Sequence, residues 1–229
     1  MIAIVDYGMG NLRSVQKAFE KVGIVAEITD NAEVIAQASG VVLPGVGAFK
    51  DCYDGLVARG LDGLVKDVAV SGRPFLGICV GLQLLFEYSD EGAGSPGLGI
   101  LKGRVRRFPD ARLSGLKVPH MGWNLLQPTP GQNVCLLNGV SDKPYAYFVH
   151  SYYAVPEDER VILARCNYGL DFPAMVGQGN LYAVQFHPEK SQWDGITMLH
   201  NFGELTRYNG VLHSMSQMCC KKDGSMIKR

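Results

Sequence analysis

Three short, continuously apolar runs constrain the fold of this 229-residue chain more than any other feature. They lie at residues 1–5, 40–44 and 74–78, and each is followed by a segment in which apolar side chains recur at helical spacing. A strand that is apolar at every position is typical of a parallel sheet buried on both faces. The alternation of such strands with helices predicts an α/β fold with a mostly parallel central sheet and helices on both faces.

The remaining elements follow from the same patterns. Helices are expected over residues 11–22, 32–38, 56–70 and 82–88, and a further strand over residues 25–28. From residue 99 onward, short strand-like runs are separated by turn residues. They predict antiparallel or mixed additions to the sheet at residues 105–108, 145–149, 161–164 and 181–186. A last helix is expected from about residue 195 to residue 208, and residues 88–95 are expected to form a flexible loop.

Neither an internal repeat nor an interdomain linker divides the chain. A single domain is therefore expected over residues 1–208. The polar segment at residues 209–229 is expected to form a loosely ordered tail.

Composition excludes several classes of protein. Hydrophobic residues make up 47% of the chain, which is enough for a substantial core. Lys and Arg total 22, as do Asp and Glu, and this balance argues against a nucleic-acid partner. No apolar run approaches the roughly 20 residues of a membrane helix, and no signal-like segment opens the chain. The six cysteines include no Cys-x-x-Cys pair. We therefore expect a cytoplasmic protein without disulfides and without a membrane partner.

The segment Gly77–Gly81 (Gly-Ile-Cys-Val-Gly) comes directly after a predicted buried strand and directly before a predicted helix. A sharp turn between strand and helix needs small residues on either side, and it lifts the middle side chain out of the sheet. The positive end of the helix then stabilises a thiolate. Taken alone, this pattern leaves two interpretations of Cys79 equally open: a catalytic nucleophile, or a buried structural cysteine.

A second segment, Gln185–Glu189 (Gln-Phe-His-Pro-Glu), ends the last strand-like run. A catalytic thiol needs a base that takes its proton and returns it to the leaving group. That base needs a third group to orient its ring. His187 and Glu189 supply both residue types at the end of a strand, so we expect them to work with Cys79. A loop histidine beside a solvated glutamate is the other interpretation of the pair.

The glycine turn at residues 44–47 (Pro-Gly-Val-Gly) ends the third predicted strand. Backbone N–H groups in such a turn can stabilise an oxyanion, although an ordinary turn explains the residues equally well. A dinucleotide-binding fingerprint starting at Gly8 and Gly10 fails because its third glycine position is Arg13. The remaining histidines have no metal-ligand spacing, so no metal and no cofactor are expected; they are His120, His150, His200 and His213.

With these three elements in order, the chain resembles the class-I (triad) glutamine amidotransferases. The matching segments extend from residue 6 to about residue 203; they are residues 6–12, 43–49, 76–83, 118–124, 147–152 and 185–191. The cysteine and His-Pro-Glu motifs are typical of the whole family. The N-terminal, Met-Gly-Trp-Asn and His-Ser-Tyr segments are similar to members that supply ammonia to a (β/α)₈-barrel cyclase in histidine biosynthesis.

The resemblance implies a role for each matching residue. Cys79 attacks the side-chain amide of L-glutamine, His187 carries the proton to the departing ammonia, and Glu189 orients His187. The oxyanion hole and the glutamine site are then assigned by the resemblance to backbone and side-chain groups of Val46, Gly47, Val80, Gln83, Ser151 and Tyr152, with Gly47 in both.

The resemblance also implies a heterodimer in which ammonia passes to the cyclase subunit through a sealed interface. Such a seal keeps ammonia unprotonated and away from water. The interface residues that it implies are Asn11, Trp123, Tyr147 and Lys190. Simpler interpretations of three of these are a core position for Trp123, a buried strand for Tyr147 and a solvated charge for Lys190.

Three alternatives remain at the level of sequence. A paralogous glutaminase with the same site could supply a different barrel synthase, such as one that amidates a sugar for surface polysaccharide. A binding protein with an inactive site is disfavoured by the intact set of Cys79, His187 and Glu189. A cysteine peptidase on a related fold would not need Gln83 or the His-Ser-Tyr segment.

Overall fold

The computed structural model describes residues 1–109 and 115–208, and the tail expected at residues 209–229 lies outside them. Its strands are, in chain order, β1 Ile2–Val5, β2 Ala26–Thr29, β3 Gly40–Gly45, β4 Phe75–Cys79, β5 Phe86–Ser89, β6 Ser95–Pro96, β7 Leu101–Arg107, β8 His120–Leu125, β9 Gln127–Pro128, β10 Tyr145–His150, β11 Tyr152–Pro156, β12 Ile162–Asn167, β13 Asp171–Gln178 and β14 Leu181–Val184. Its α-helices are α1 Leu12–Lys21, α2 Ala32–Gln37, α3 Phe49–Ala58, α4 Asp62–Val70, α5 Val80–Gln83 and α6 Gln192–Tyr208.

An eight-stranded sheet with the order β2-β1-β3-β4-β14-β13-β12-β9 forms the centre of the fold. The first five strands in this order pair in parallel, and β13, β12 and β9 add to it in antiparallel fashion. All four residues of β1 are buried. Because successive residues of a strand face opposite sides, the sheet is covered on both faces at this strand. The predicted mostly parallel α/β fold with antiparallel additions is confirmed.

Two smaller sheets lie beside the central one. Strands β8 and β10 form an antiparallel pair, and β11, β7, β5 and β6 form a four-stranded sheet in that order. The sequence pattern missed β8 and β13, because glycine, proline and polar residues interrupt the apolar runs of these strands, and it also missed β11. No helix among the residues described is both long and apolar enough to cross a membrane.

The expected helix at residues 56–70 is in fact two helices. Helix α3 begins already at Phe49 and α4 begins at Asp62, and the chain turns between them at Gly60, which has a φ of 64°. Helix α3 ends in this turn, where the amide of Gly60 donates to Val57 O and the amide of Leu61 donates to Leu56 O.

The expected helix at residues 82–88 is wrong. Helix α5 ends at Gln83, and residues 86–89 form strand β5. Leu84, Leu85 and Phe86 are all fully buried, so this stretch has no polar face to present to water as an amphipathic helix would. Strand β5 pairs with β6 and β7, so the expected loop at residues 88–95 begins and ends in strands, and only residues 90–94 lie between them.

Candidate active site

The candidate residues meet at the carboxyl edge of the central sheet. Strands β3, β4 and β14 are parallel neighbours, and Gly45 pairs with Cys79 at the end of β3 and β4. The segment that contains His187 continues directly from β14. Ligand sites in open α/β sheets lie at this edge of the strands. The topology therefore brings the glycine turn, the cysteine and the histidine together.

Cys79 occupies the sharp turn between β4 and α5. Its φ of 57° and ψ of −111° are unusual for a residue with a side chain, and the side chain is almost fully buried. A Cβ on Gly81 would overlap the carbonyl oxygen of Leu43, and a Cβ on Gly77 would lie 2.8 Å from the carbonyl oxygen of Gly81. The two glycines are therefore required for this turn to pack against β3.

His187 and Glu189 form a buried pair. His187 Nδ1 lies 2.9 Å from Glu189 Oε1, and the side chains are 2% and 1% exposed. Among the described residues, His187 Nε2 has no hydrogen-bond partner. Burial lowers the pKa of His187, but nearby Cys79 and the bond to Glu189 outweigh it and raise the pKa to about 9. The ring is thus oriented through one nitrogen, while the other is available to exchange a proton.

The backbone of His187 is fixed by strand β10 and by Ser191. The amide of His187 donates to Tyr147 O at 2.9 Å, and the amide of Tyr147 donates to Ser191 Oγ at 3.0 Å. Ser191 Oγ in turn donates to His187 O at 2.6 Å. Tyr147, expected at an interface, is therefore also joined to the histidine through its main chain.

A cavity of about 320 Å³ opens onto Cys79 and His187. The residues that line it are Val46, Gly47, Cys79, Val80, Gln83, Glu91, Pro119, Val149, His150, Ser151, Tyr152 and His187. This set includes every residue expected in the oxyanion hole and the glutamine site. Glu189 joins it through its bond to His187.

Two buried glutamines join the walls of this cavity. Gln83 Nε2 lies 3.1 Å from both Tyr152 O and Gln185 Oε1. Gln185 is fully buried and its Nε2 lies 3.9 Å from Cys79 Sγ. Sequence reasoning expected a role for Gln83 but missed Gln185, although it lies in the same motif as His187.

Glu91 is a second residue that sequence reasoning missed, because it falls in the segment expected to be a flexible loop. Its Oε2 accepts a hydrogen bond of 2.8 Å from the amide of Phe49, the first residue of α3. This bond holds a carboxylate at the cavity wall. The position of the carboxylate depends on a contact across 42 residues of sequence, which no local pattern reveals.

Two buried histidines form a directed chain of hydrogen bonds behind the cavity. His150 Nδ1 lies 2.8 Å from Tyr152 O, which can only accept, so Nδ1 carries the hydrogen. His150 Nε2 must then accept from His120 Nδ1 at 3.0 Å. His120 Nε2 accepts in turn from Asn124 Nδ2 at 3.3 Å. Both rings are neutral in this arrangement. Burial lowers the pKa of His120 to about 4 and that of His150 to about 3.

Three of the four expected interface residues lie close together outside the cavity. The rings of Trp123 and Tyr147 meet edge to face at 5.9 Å, and Lys190 Nζ lies 5.9 Å from the Tyr147 ring centre. Trp123 is 45% exposed and is not a core residue. Asn11 precedes α1, a helix that contacts the turn containing Lys190.

No three His, Cys, Asp or Glu side chains in residues 1–109 and 115–208 are grouped so that they could hold a metal ion. The site that remains is a thiol, a buried histidine–carboxylate pair and a glycine turn around a cavity. This set of groups suits acyl transfer through a covalent intermediate.

The family model described as glutamine amidotransferase class-I matches residues 3–204 of this chain. Among its relatives, the chain is 54% identical to the imidazole glycerol phosphate synthase subunit HisH of Syntrophotalea carbinolica, covering 90% of this chain and 100% of that one. It is 51% identical to the HisH subunit of Moorella thermoacetica, covering 91% and 97% of the two chains. The chain therefore belongs to the HisH group of the class-I glutamine amidotransferases.

Solved structures agree on the fold. One described as a glutamine amidotransferase has a TM-score of 0.70 at 22% identity, covering 92% of this chain and 100% of its own. PurLQS from Thermotoga maritima has a TM-score of 0.67 at 19% identity, covering 92% of this chain and 98% of the chain that it matches.

Proposed function

We propose that this chain is the glutaminase subunit of an imidazole glycerol phosphate synthase and that Cys79, His187 and Glu189 are its catalytic triad. It hydrolyses L-glutamine to glutamate and ammonia for histidine biosynthesis in the cytoplasm. The observation that carries the assignment of the triad is the buried 2.9 Å pair of His187 and Glu189, whose free Nε2 lies at the cavity of Cys79.

The first half of the reaction forms a thioester. Cys79 Sγ bonds to the amide carbon of glutamine, and its proton passes to His187 Nε2. The carboxylate of Glu189 favours the charged ring, so the ring can hold that proton until the C–N bond breaks. The proton then goes to the leaving nitrogen, which departs as ammonia. Glu189 keeps Nδ1 protonated and oriented and stabilises the charged ring.

The second half releases glutamate. Water gives a proton to His187 Nε2 and attacks the thioester carbon, and the C–S bond breaks. The proton returns to Sγ, so the enzyme is regenerated and no cofactor is consumed. In both halves a negative oxygen forms on the former amide carbon. We assign its stabilisation to backbone N–H groups at Val46, Gly47 and Val80, each of which is worth roughly 10²–10³ in rate.

Glutamine binding is assigned to the residues around the same cavity. Gly47, Gln83, Ser151 and Tyr152 supply polar groups at its wall. Glu91 adds a carboxylate, the residue type that pairs with the α-ammonium group of an amino acid. This assignment rests on their common position and predicts that Glu91→Gln raises KM for glutamine.

The ammonia acceptor in this proposal is a (β/α)₈-barrel cyclase subunit bound at the face of Trp123, Tyr147, Lys190 and Asn11. The cyclase uses ammonia to make imidazole glycerol phosphate and AICAR. The exposed indole of Trp123 and the aromatic contact with Tyr147 support this choice of face, since aromatic residues are enriched at interfaces.

The test measures two reactions in the complex with the cyclase. Cys79→Ala is expected to abolish glutamine-dependent synthesis and glutamate release, while synthesis from added ammonium salts continues. Loss of both syntheses with the fold intact would contradict the division of labour. If the chain releases glutamate but does not supply ammonia to this cyclase, its partner is a different barrel synthase.

A further inference from the structure

Two buried donors lie beneath the glycine turn on the side of the core. Tyr7 follows β1 directly and is 1% exposed, and its hydroxyl donates to Pro44 O at 2.5 Å. Cys52 on α3 is fully buried, and its thiol donates to Val46 O at 3.4 Å. The carbonyls of two of the four residues in the turn are thus bonded to side chains that the triad chemistry does not use.

Both donors keep their hydrogens at physiological pH. Burial is the largest cause in each case: it raises the pKa of Tyr7 well above its ordinary value and the pKa of Cys52 to about 11. Neither group is placed to act as an acid, a base or a nucleophile at the reacting atoms. Their chemistry is limited to donating a hydrogen bond.

The direction of these bonds fixes the direction of the turn. In a trans peptide the C=O and the following N–H point in opposite directions. Because Val46 O points to Cys52 on α3, the N–H of Gly47 points away from α3. Gly47 lines the cavity of Cys79. A reversed peptide would present a carbonyl oxygen there, which would repel a developing oxyanion instead of stabilising it.

Space around the turn leaves little freedom for other arrangements. A Cβ on Gly45 would lie 2.9 Å from each of three neighbours, the Tyr7 hydroxyl, Gly81 N and Val80 Cβ. The Tyr7 hydroxyl therefore sits at the junction between the glycine turn and the turn that carries Cys79.

From this geometry we propose that the Tyr7 hydroxyl and the Cys52 thiol are positioning residues that hold the Pro44–Gly47 turn so that the Gly47 N–H points toward the cavity. The inference deepens the proposed function, because it rests on an oxyanion at that turn. Removing either donor frees one carbonyl of the turn, so a fraction of molecules present the wrong peptide orientation. The loss appears in the chemical step and not in substrate binding.

The test compares Tyr7→Phe, Cys52→Ala and Cys52→Ser with two matched controls in the complex with the cyclase. Tyr53→Phe alters the next residue along α3 after Cys52, and Cys166→Ala removes another fully buried thiol, on β12. We expect Tyr7→Phe and Cys52→Ala to lower kcat for glutamine hydrolysis roughly 10- to 100-fold with KM little changed. Cys52→Ser retains a donor and is expected to recover much of the loss, while both controls stay near the unaltered complex.

Alkylation of Cys79 by iodoacetamide, followed by mass spectrometry of its peptide, separates a positioning role from general damage. This displacement forms no oxyanion, so its rate is expected to stay unchanged in Tyr7→Phe and Cys52→Ala. A parallel fall in kcat and alkylation would overturn the inference, as would a kcat within about twofold of the unaltered complex in both variants. Failure of the proposed function would look different, because the unaltered complex would then release no glutamate.

Discussion

At the scale of single residues, His187 combines strong orientation with one free nitrogen. Glu189 fixes Nδ1, while Tyr147 O and Ser191 Oγ fix the main chain. Both side chains of the pair are almost fully excluded from water. A buried carboxylate beside an imidazole favours the charged ring, since the attraction between them is little screened.

Replacing Glu189 by Gln tests how much of the raised pKa of His187 comes from the charge of the carboxylate. An amide at this position still accepts the bond from Nδ1, but it no longer favours the imidazolium. We expect the pKa of His187 to fall from about 9, so the form that delivers a proton to ammonia is lost at lower pH. The alkaline limb of the kcat/KM profile should therefore shift to lower pH, and kcat should fall about 10- to 100-fold.

A matched pair elsewhere in the chain supplies the control. His200 Nε2 and Glu204 Oε1 lie 3.9 Å apart on helix α6, with both side chains more than a quarter exposed. Glu204→Gln removes a carboxylate from a histidine in the same way but is expected to leave the pH profile unchanged. An unshifted alkaline limb in Glu189→Gln would show that the carboxylate acts through geometry alone.

At the scale of elements, the strand–turn–helix unit around Cys79 depends on backbone contact with β3. A Cβ on Gly81 would overlap Leu43 O, and this neighbour is main chain in the middle of the sheet. We expect Gly81→Ala to destabilise the fold by about 3 kcal/mol, because the main chain of the sheet cannot move aside. The thermal unfolding midpoint measures this loss.

Gly63 provides the opposite expectation from the same substitution. It lies in helix α4 with open space where a Cβ would be, so alanine there reduces only the entropy of the unfolded chain. Gly63→Ala is expected to stabilise the protein by about 0.5–1 kcal/mol. Equal destabilisation by both substitutions would mean that the contact with Leu43 O is not what requires glycine at the turn.

The elements also show which parts of the fold are predictable from sequence. Strands β1, β3 and β4 are apolar at every position because they are covered on both faces, so their pattern is local and complete. Strand β8 is different, since it alternates His120 toward the interior with Met121 and Trp123 toward solvent. No turn residue separates the four-residue helix α5 from strand β5, so the local sequence does not show where the helix ends. Pairing with β7 is what makes this stretch a strand.

The residues of the candidate site also differ in whether the sequence predicts them. Cys79, His187 and Glu189 lie in short motifs at strand ends, so residue type and predicted position make them candidates, and the resemblance to the family then assigns their roles. Glu91 and Tyr7 depend on partners 42 and 37 residues away in the chain. Only the assembled sheet edge brings such partners together, and the sequence carries no local signal for it.

At the scale of the whole molecule, the buried histidines make stability depend on pH in two opposite directions. The pKa values of His120 and His150 fall to about 4 and about 3 on folding, because burial disfavours their charged forms. Below pH 6.5 the unfolded chain therefore binds protons that the folded chain does not, and stability falls as the pH is lowered. His187 has a raised pKa of about 9, so its contribution is present below pH 6.5 and is lost as the pH rises through about 9.

His120→Phe isolates part of the acid side of this balance. The His120 ring stacks on Tyr168 at 4.1 Å and on Phe148 at 4.8 Å, so a phenyl ring fits the same aromatic surroundings. The unfolding free energy from urea titrations is expected to fall less between pH 7 and pH 5 in this variant than in the unaltered protein. His200→Gln, on α6, is the control and should keep the original slope. Identical slopes for His120→Phe and the unaltered protein would contradict the expectation.

The part of the chain that the structure describes also includes an apolar face that is exposed to solvent. Met121, Trp123, Tyr145 and Trp193 are between 45% and 63% exposed. A groove of about 410 Å³ runs between the last three, and the Trp123 ring contacts Tyr147. Large exposed aromatic side chains grouped in this way are typical of binding sites for other proteins.

Trp123→Ala tests whether this face binds the cyclase. Because the indole is half exposed, its loss is expected to change the unfolding free energy little, whereas Kd for the cyclase should rise roughly 10- to 100-fold. Isothermal titration calorimetry with the cyclase gives Kd, and urea titration of the isolated chain gives its unfolding free energy. Tyr88→Ala removes an exposed aromatic ring from β5, in a different sheet, and should leave Kd unchanged. An unchanged Kd in Trp123→Ala would remove this residue from the interface, and the ammonia route would then have to leave the cavity through another face.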